Sequence, residues 1–187
     1  MNKKNFLPLI VIVFLLLIIS CNKSDDFKIE KGRVGKISAL TKINDLENIF
    51  KNDSIVKNLS EGALGDNYFQ DDDEYLIFEK GGNLLLTLIP KEQLDSTSTI
   101  KSIEIHDMRY KTNNGISLSS NFSEINASNI LRPESTLQSV TLFLDELNAT
   151  ITIDKDELGI KDFITQKISL EQIPDLAKIK SFIVWFI

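Results

Sequence analysis

Stretches in which apolar and polar side chains take turns constrain this chain more than any other feature. Val140, Leu142 and Leu144 alternate with Thr141 and Phe143, and Ile151 and Ile153 alternate with Thr150 and Thr152. A period of two puts one set on a buried sheet face and the other on a wetter one. Six such strands are expected. Glu74–Lys80, Asn83–Pro90 and Thr99–Met108 form a first set, with Gly81-Gly82 as the hairpin turn of its first two strands. Leu137–Asp145, Asn148–Asp154 and Ile179–Ile187 form a second, turning at Asp145-Glu146-Leu147-Asn148.

The two sets read as copies of one unit. A shift of 79 residues lays Ile37-Ser38 on Ile116-Ser117, Ile43 on Phe122, Leu46 on Ile125, and Ile100-Lys101-Ser102 on Ile179-Lys180-Ser181. Between those anchors a shift of 65 lays Leu84, Leu86 and Leu88 on Ala149, Ile151 and Ile153. Loops of unequal length account for the change of offset. Each unit opens with a helical stripe. In the first, Thr41 or Asn44 caps Ile43, Leu46, Ile49 and Phe50; in the second, Ser120 or Asn121 caps Phe122, Ile125 and Ile130. A further helical turn is expected within Ser169–Lys178, around Pro174. The reading is an α+β fold of two tandem helix-plus-antiparallel-sheet units, residues 34–110 and 111–187, jointed at Lys111-Thr112-Asn113-Asn114-Gly115.

Ahead of these units lies an address. Lys3 and Lys4 precede fourteen residues without a charge, Phe6 to Ile19, and Ser20-Cys21 follows. A basic start, an apolar run and a small residue at the cut site make a secretory signal peptide. The run is short for a membrane span, which needs about 20 apolar residues. With cysteine directly behind the cut, residues 1–20 resemble the bacterial lipoprotein signal. That resemblance implies cleavage after Ser20, lipidation of Cys21 and a durable anchor, because several acyl chains bind where one is marginal. Residues 21–33 then form a polar tether. Its Asn22-Lys23-Ser24-Asp25-Asp26 resembles the lysine-plus-acidic export tag of surface lipoproteins in Bacteroidota-type bacteria.

Charge and cysteine usage remove several function classes. The chain carries −6, and loss of the two leader lysines leaves −8. Nucleic acid requires clustered Lys and Arg, so no nucleic-acid partner is expected. Cys21 is the only cysteine. Once it is lipidated, disulfides, thiolate catalysis and cysteine metal sites are closed to a single chain. The fold must be held by its own core.

Candidate chemistry is sparse. His106, the only histidine, stands beside Asp107. A hydrolase would use such a histidine as base for a serine. No Gly-x-Ser-x-Gly elbow is present, and neighbours on a strand point to opposite faces, which favours a plain surface histidine. Asp66 and Asp71-Asp72-Asp73-Glu74 lack the alternate spacing and glycine of a calcium loop, so a solvated acidic loop is expected and no metal or other cofactor. Ser54 in Asp53-Ser54-Ile55 and Ser96 in Asp95-Ser96-Thr97 resemble Asp-Ser/Thr sites that Bacteroidota-type bacteria O-glycosylate.

The last strand is the sharper clue. Phe182, Val184 and Phe186 match the inward Ile103 and Ile105 of the first unit, which leaves Ile183, Trp185 and Ile187 on the face where that unit carries Ser102, Glu104 and His106. A strand apolar on both sides is either sandwiched or adhesive, and tryptophan is enriched in binding hot spots. Packing of Trp185 against the rest of the chain is the competing reading. Two helix-plus-sheet units in tandem resemble the β-lactamase-inhibitor-protein-like architecture, and one unit resembles the SmpA/OmlA (BamE-type) lipoproteins. The first resemblance implies a face that grips a partner protein. The expectation is a non-catalytic, lipid-anchored outer-membrane or cell-surface protein that binds another protein around Glu104, His106, Ile183 and Trp185. A periplasm-facing structural or assembly component is the alternative, and a His106 hydrolase a third.

Overall fold

Alternation becomes a single broad sheet. The structure is a computed structural model that describes residues 26–60, 72–159 and 167–187. In chain order its strands are β1 (Lys28–Glu30), β2 (Arg33–Val34), β3 (Ile37–Ser38), β4 (Ser54–Asn58), β5 (Glu74–Phe78), β6 (Leu84–Pro90), β7 (Ile100–Ile105), β8 (Lys111–Thr112), β9 (Arg132–Ser135), β10 (Ser139–Leu144), β11 (Ala149–Asp154) and β12 (Ser181–Trp185). Two short α-helices, α1 (Leu46–Ile49) and α2 (Phe122–Ser128), join them. An eight-stranded antiparallel sheet runs in the order β4-β5-β6-β7-β12-β11-β10-β9, and a small sheet in the order β3-β2-β1-β8.

This corrects the expected α+β fold of two helix-plus-sheet units. The protein is mostly β. Strand β12 pairs with β7, placing Val184 opposite Ile103 and Ile183 opposite Glu104, so both sets of strands belong to one sheet. One contiguous core backs it: Ile29, Val34 and Ile37 of the small sheet, Leu46 and Phe122 of the helices, and Ile77, Leu88, Ile103, Leu142, Ile151, Phe182 and Val184 of the large sheet. Two units with separate cores are not what these residues build.

The helices are shorter than their stripes suggested, for local reasons. The first is a 3-10 turn, Ile43–Asp45, followed by the four residues of α1. Its entry is closed by Asp45, whose Oδ2 accepts from Lys42 N at 3.1 Å, rather than by Thr41 or Asn44. One turn is not stable alone; Ile43, Leu46 and Phe50 hold it by burial, and Ile55 and Val56 already belong to β4. In α2 the expected Asn121 is the cap. Asn121 Oδ1 accepts from Glu124 N, and Glu124 Oε2 accepts from Asn121 N, each at 3.0 Å. The helix stops at Ser128, ahead of Pro133, so Ile130 is 81% exposed instead of joining the stripe. Near Pro174 the expected helical turn is the 3-10 segment Leu170–Gln172.

The two hairpins form where the turn residues allowed. Gly81 and Gly82 have φ of 125° and 94°, conformations that side chains resist, and Glu79 N donates to Asn83 O at 2.9 Å across them. Asn148 takes φ of 52° at the end of the second turn, a position that asparagine tolerates. The strands that alternation did not announce lie at the margins of the large sheet or in the small one. β4 and β9 are the sheet edges, and β1–β3 lie partly inside the stretch read as tether, with Ile29 fully buried. The leader, Ser20 and Cys21 lie outside the described residues. Among the described residues no helix is long and apolar enough to cross a membrane.

The seam between β7 and β12 is the test of this architecture. Phe182 of β12, opposite Ile151 and two residues before the Val184 that meets Ile103, is fully buried, and Phe182→Ala is expected to cost about 3–5 kcal/mol. Urea unfolding measures this; a loss below about 1 kcal/mol would mean that the seam is not packed as described.

Candidate functional site

The inner face of the large sheet is committed to the core, which leaves the outer face. One row of side chains crosses it on all eight strands: Val56, Leu76, Thr87, Glu104, Ile183, Thr150, Phe143 and Arg132. Partners directly opposite in antiparallel strands share a face, so these eight project on one side. Glu104, His106, Ile183 and Trp185, the expected binding face, all belong to this side and all are part-exposed. Trp185 lies opposite Ser102 and donates from Nε1 to Thr150 Oγ1 at 3.1 Å. That bond fixes the indole on the face rather than under a helix. Ile187 continues the strip at 97% exposure.

Around Trp185 the face dips into a shallow groove of about 570 Å³, lined among others by Ile183, Phe143, Arg132, Asp145 and Asn148. No residue of the helices or the small sheet lines it. The Arg132 guanidinium stacks over the Phe143 ring, 4.0 Å from its centroid, and its Nη2 lies 3.8 Å from Asp145 Oδ1. Phe143 and Arg132 were absent from the expected face. The signal for Phe143 was present, since alternation put an aromatic ring among threonines, but β9 gave no alternation to align Arg132 with it.

His106 is engaged on the sheet, and not with Asp107. Its Nε2 is 2.9 Å from Thr87 Oγ1 and 4.0 Å from Glu104 Oε2. Asp107 instead takes Arg109 Nε at 2.9 Å and Nη2 at 2.7 Å. Arg109 also grips both oxygens of Glu79, at 2.8 and 2.9 Å, and stacks 4.4 Å from the Phe27 centroid. Its hydrogen bonds hold the Glu79 and Asp107 carboxyls below the usual range, and theirs push its own pKa up. The group ties the β5–β6 hairpin to the segment before β8. The carboxylate beside the histidine is therefore spent on structure.

Asp72 and Asp73 of the acidic run are likewise structural. Asp73 is fully buried. It accepts from Ser60 N at 2.8 Å, Ser60 Oγ at 2.9 Å and Leu94 N at 2.5 Å. Through these bonds it holds Leu94 at φ of 56°, which a branched side chain seldom adopts. Burial acts to raise the Asp73 pKa, but the three donors outweigh it and keep the carboxyl below its ordinary value. Asp72 accepts from Gln93 Nε2 at 2.6 Å and faces Lys101 at 3.8 Å. Asp66 and Asp71 lie outside the described residues. Among the described residues no group of three His, Cys, Asp or Glu side chains could hold a metal ion. Both candidate glycosylation residues are exposed, Ser54 at the start of β4 and Ser96 in the loop between β6 and β7.

No protein-family model matches the chain, and no curated protein matches it. Among solved structures the chain is similar to the uncharacterized protein yfeY from Escherichia coli, at 12% identity and a TM-score of 0.50, over 84% of this chain and 99% of that one. This likeness concerns the fold alone, and neither resemblance drawn from the sequence gains support from it.

The Asp73 bonds predict an acid-sensitive fold. A carboxyl whose pKa is lowered on folding stabilises fully above its unfolded value, near 3.8, and loses that contribution as pH falls through the lower folded one. Asp73→Asn is expected to cost about 2–3 kcal/mol at pH 7 and to flatten the fall in stability below pH ~4. Urea titrations from pH 7 to 3 measure both; parallel curves for the two proteins would contradict the assignment.

Proposed function

We propose that this chain is a non-catalytic, lipid-anchored protein of the outer membrane or cell surface, and that it binds another protein through the outer face of its large sheet. The carrying observation is Trp185, part-exposed beside Ile183 and Phe143 on a face that neither the helices nor the small sheet lines. Aromatic anchors ringed by polar groups are the usual make-up of a binding hot spot. The Thr150 hydroxyl and the Arg132 guanidinium hold the two rings in place beforehand, which lowers the ordering cost of association.

Charge narrows the partner. Glu74 and Glu134 belong to the same face, opposite Asn58 and Thr141, and among the described residues no cation is paired with either. Arg132, which lines the groove, and Lys180, whose backbone N–H donates to Thr152 O beside it, already face Asp145 and Asp154. A partner with an apolar centre and a basic rim complements this arrangement. The anchor at Cys21 supplies the membrane association, and the acidic balance speaks against nucleic acid.

The test uses the full chain in its membrane. A photo-crosslinker at Ile183 is expected to capture a defined partner, and Trp185→Ala to reduce that capture about tenfold or more. The same label at exposed Leu176 is expected to capture none of it. Capture unchanged by Trp185→Ala would remove this face from the interaction. Protease shaving of intact cells separates surface display, in which the chain is cut, from the periplasm-facing assembly role, in which it survives.

A further inference from the structure

A sheet face is one surface a partner can use, and a sheet edge is another. The large sheet ends in β4 on one side and β9 on the other. An open edge is a row of backbone donors and acceptors ready to pair. The β9 edge is blunted, because Pro133 has no N–H and Ser135 Oγ already accepts from Ile168 N at 3.0 Å. The β4 edge has no proline and carries Ile55 and Val56 at its centre, with Val56 46% exposed.

The sequence of β4, together with Asp53 in the bend directly before it, is complementary to itself. In an antiparallel pair centred on Ile55, Ile55 meets Ile55 of a second copy, Ser54 meets Val56, and Asp53 meets Lys57 twice. Opposite charges directly across strands stabilise, and like charges there destabilise. A register centred on Val56 would instead set Lys57 against Ile55 and Asp53 against Leu59, leaving both charges beside apolar side chains. Lys57 also holds Glu47 Oε1 at 3.0 Å within its own chain, but an ammonium has three donors and can take a second carboxylate. With one open edge on the large sheet among the described residues, the addition closes on itself about a two-fold axis and does not propagate through that sheet as a filament.

From the open β4 edge and its charge register we infer that two copies of this chain pair through β4, antiparallel and centred on Ile55, extending the large sheet across a two-fold axis. The second copy is the occupant that Asp53 and Lys57 select. The outer-face row then continues from Val56 of one copy onto Ser54 of the next.

Cysteine cross-linking of the full chain in its membrane tests the pairing. Ile55→Cys is expected to give a covalent dimer on mild oxidation. Thr141→Cys, on the outer face away from the edge, and the unaltered chain, whose only cysteine is Cys21, are the blanks. Sedimentation of the detergent-solubilised full chain tests the register without a cysteine. Asp53→Lys is expected to weaken the dimer about fivefold or more, and Asp53→Lys with Lys57→Asp to restore it. Cross-linking of Ile55→Cys no greater than the blanks overturns the pairing, as does a unaltered chain that sediments as a monomer at every concentration. Failure of the double reversal to restore what the single one lost overturns the register and the inference with it.

Discussion

The pairing of β7 with β12 is the contact on which the rest of the structure depends. Without it the strands from β4 to β7 and those from β9 to β12 would be two small sheets, each with an extra open edge. With it, β12 lies between β7 and β11, and Phe182 and Val184 meet Ile103 and Ile151 in one layer. Burying large aliphatic and aromatic groups contributes about 1.5–3 kcal/mol each, so the seam is a main source of stability as well as of topology. It is also non-local, since β7 and β12 lie far apart in sequence, and such pairings form late because loop closure precedes any gain.

Polar groups then fix what the seam leaves loose. Asp73 pins the end of β4 and the loop after β6 to the start of β5, and Arg109 pins the β5–β6 turn to the segment entering β8. Both are networks in which every oxygen has a donor, the condition under which a buried or half-buried charge stabilises. These two networks use Asp73 and Asp107, two of the acidic side chains that looked chemically suggestive. Asp107 in particular is held by Arg109 and is unavailable to His106.

How far the sequence could be read follows from where each signal comes from. Alternation marked β5, β6, β7, β10, β11 and β12, because those strands have one face in the core and one outside it. It was silent on β4 and β9, where an edge strand is exposed on both faces in the first case and interrupted by Pro133 in the second. The helical stripes were real but overextended. Burial of Ile43, Leu46, Phe122 and Ile125 produces the stripe whether the helix runs one turn or three. Nor did the repeat announce the seam. Similar segments tell of similar local structure, whereas strand order across β7 and β12 is a tertiary matter that no window of sequence contains. The face was legible for the same reason the strands were. Once Phe182 and Val184 are inward, Ile183 and Trp185 have only the other side, and Glu104 and His106 follow from aligning the last strand with Ile103 and Ile105.

One sheet with one covered face has a consequence for where recognition can occur. The inner face is closed by the helices and the small sheet, and the β9 edge by proline and Ser135. Of the large sheet, the outer face and the β4 edge remain, and the two are not independent. The row from Arg132 to Val56 ends at that edge, so whatever pairs with β4 also sets how far the row extends. A partner on the outer face near Trp185 lies several strands from β4, about 4.8 Å per strand, and can bind without contacting the edge. Proximity at the β4 end is different, because Val56 and Leu76 there would border a second copy. The aromatic end of the row is thus the part suited to a foreign partner, and the aliphatic end the part suited to the chain itself.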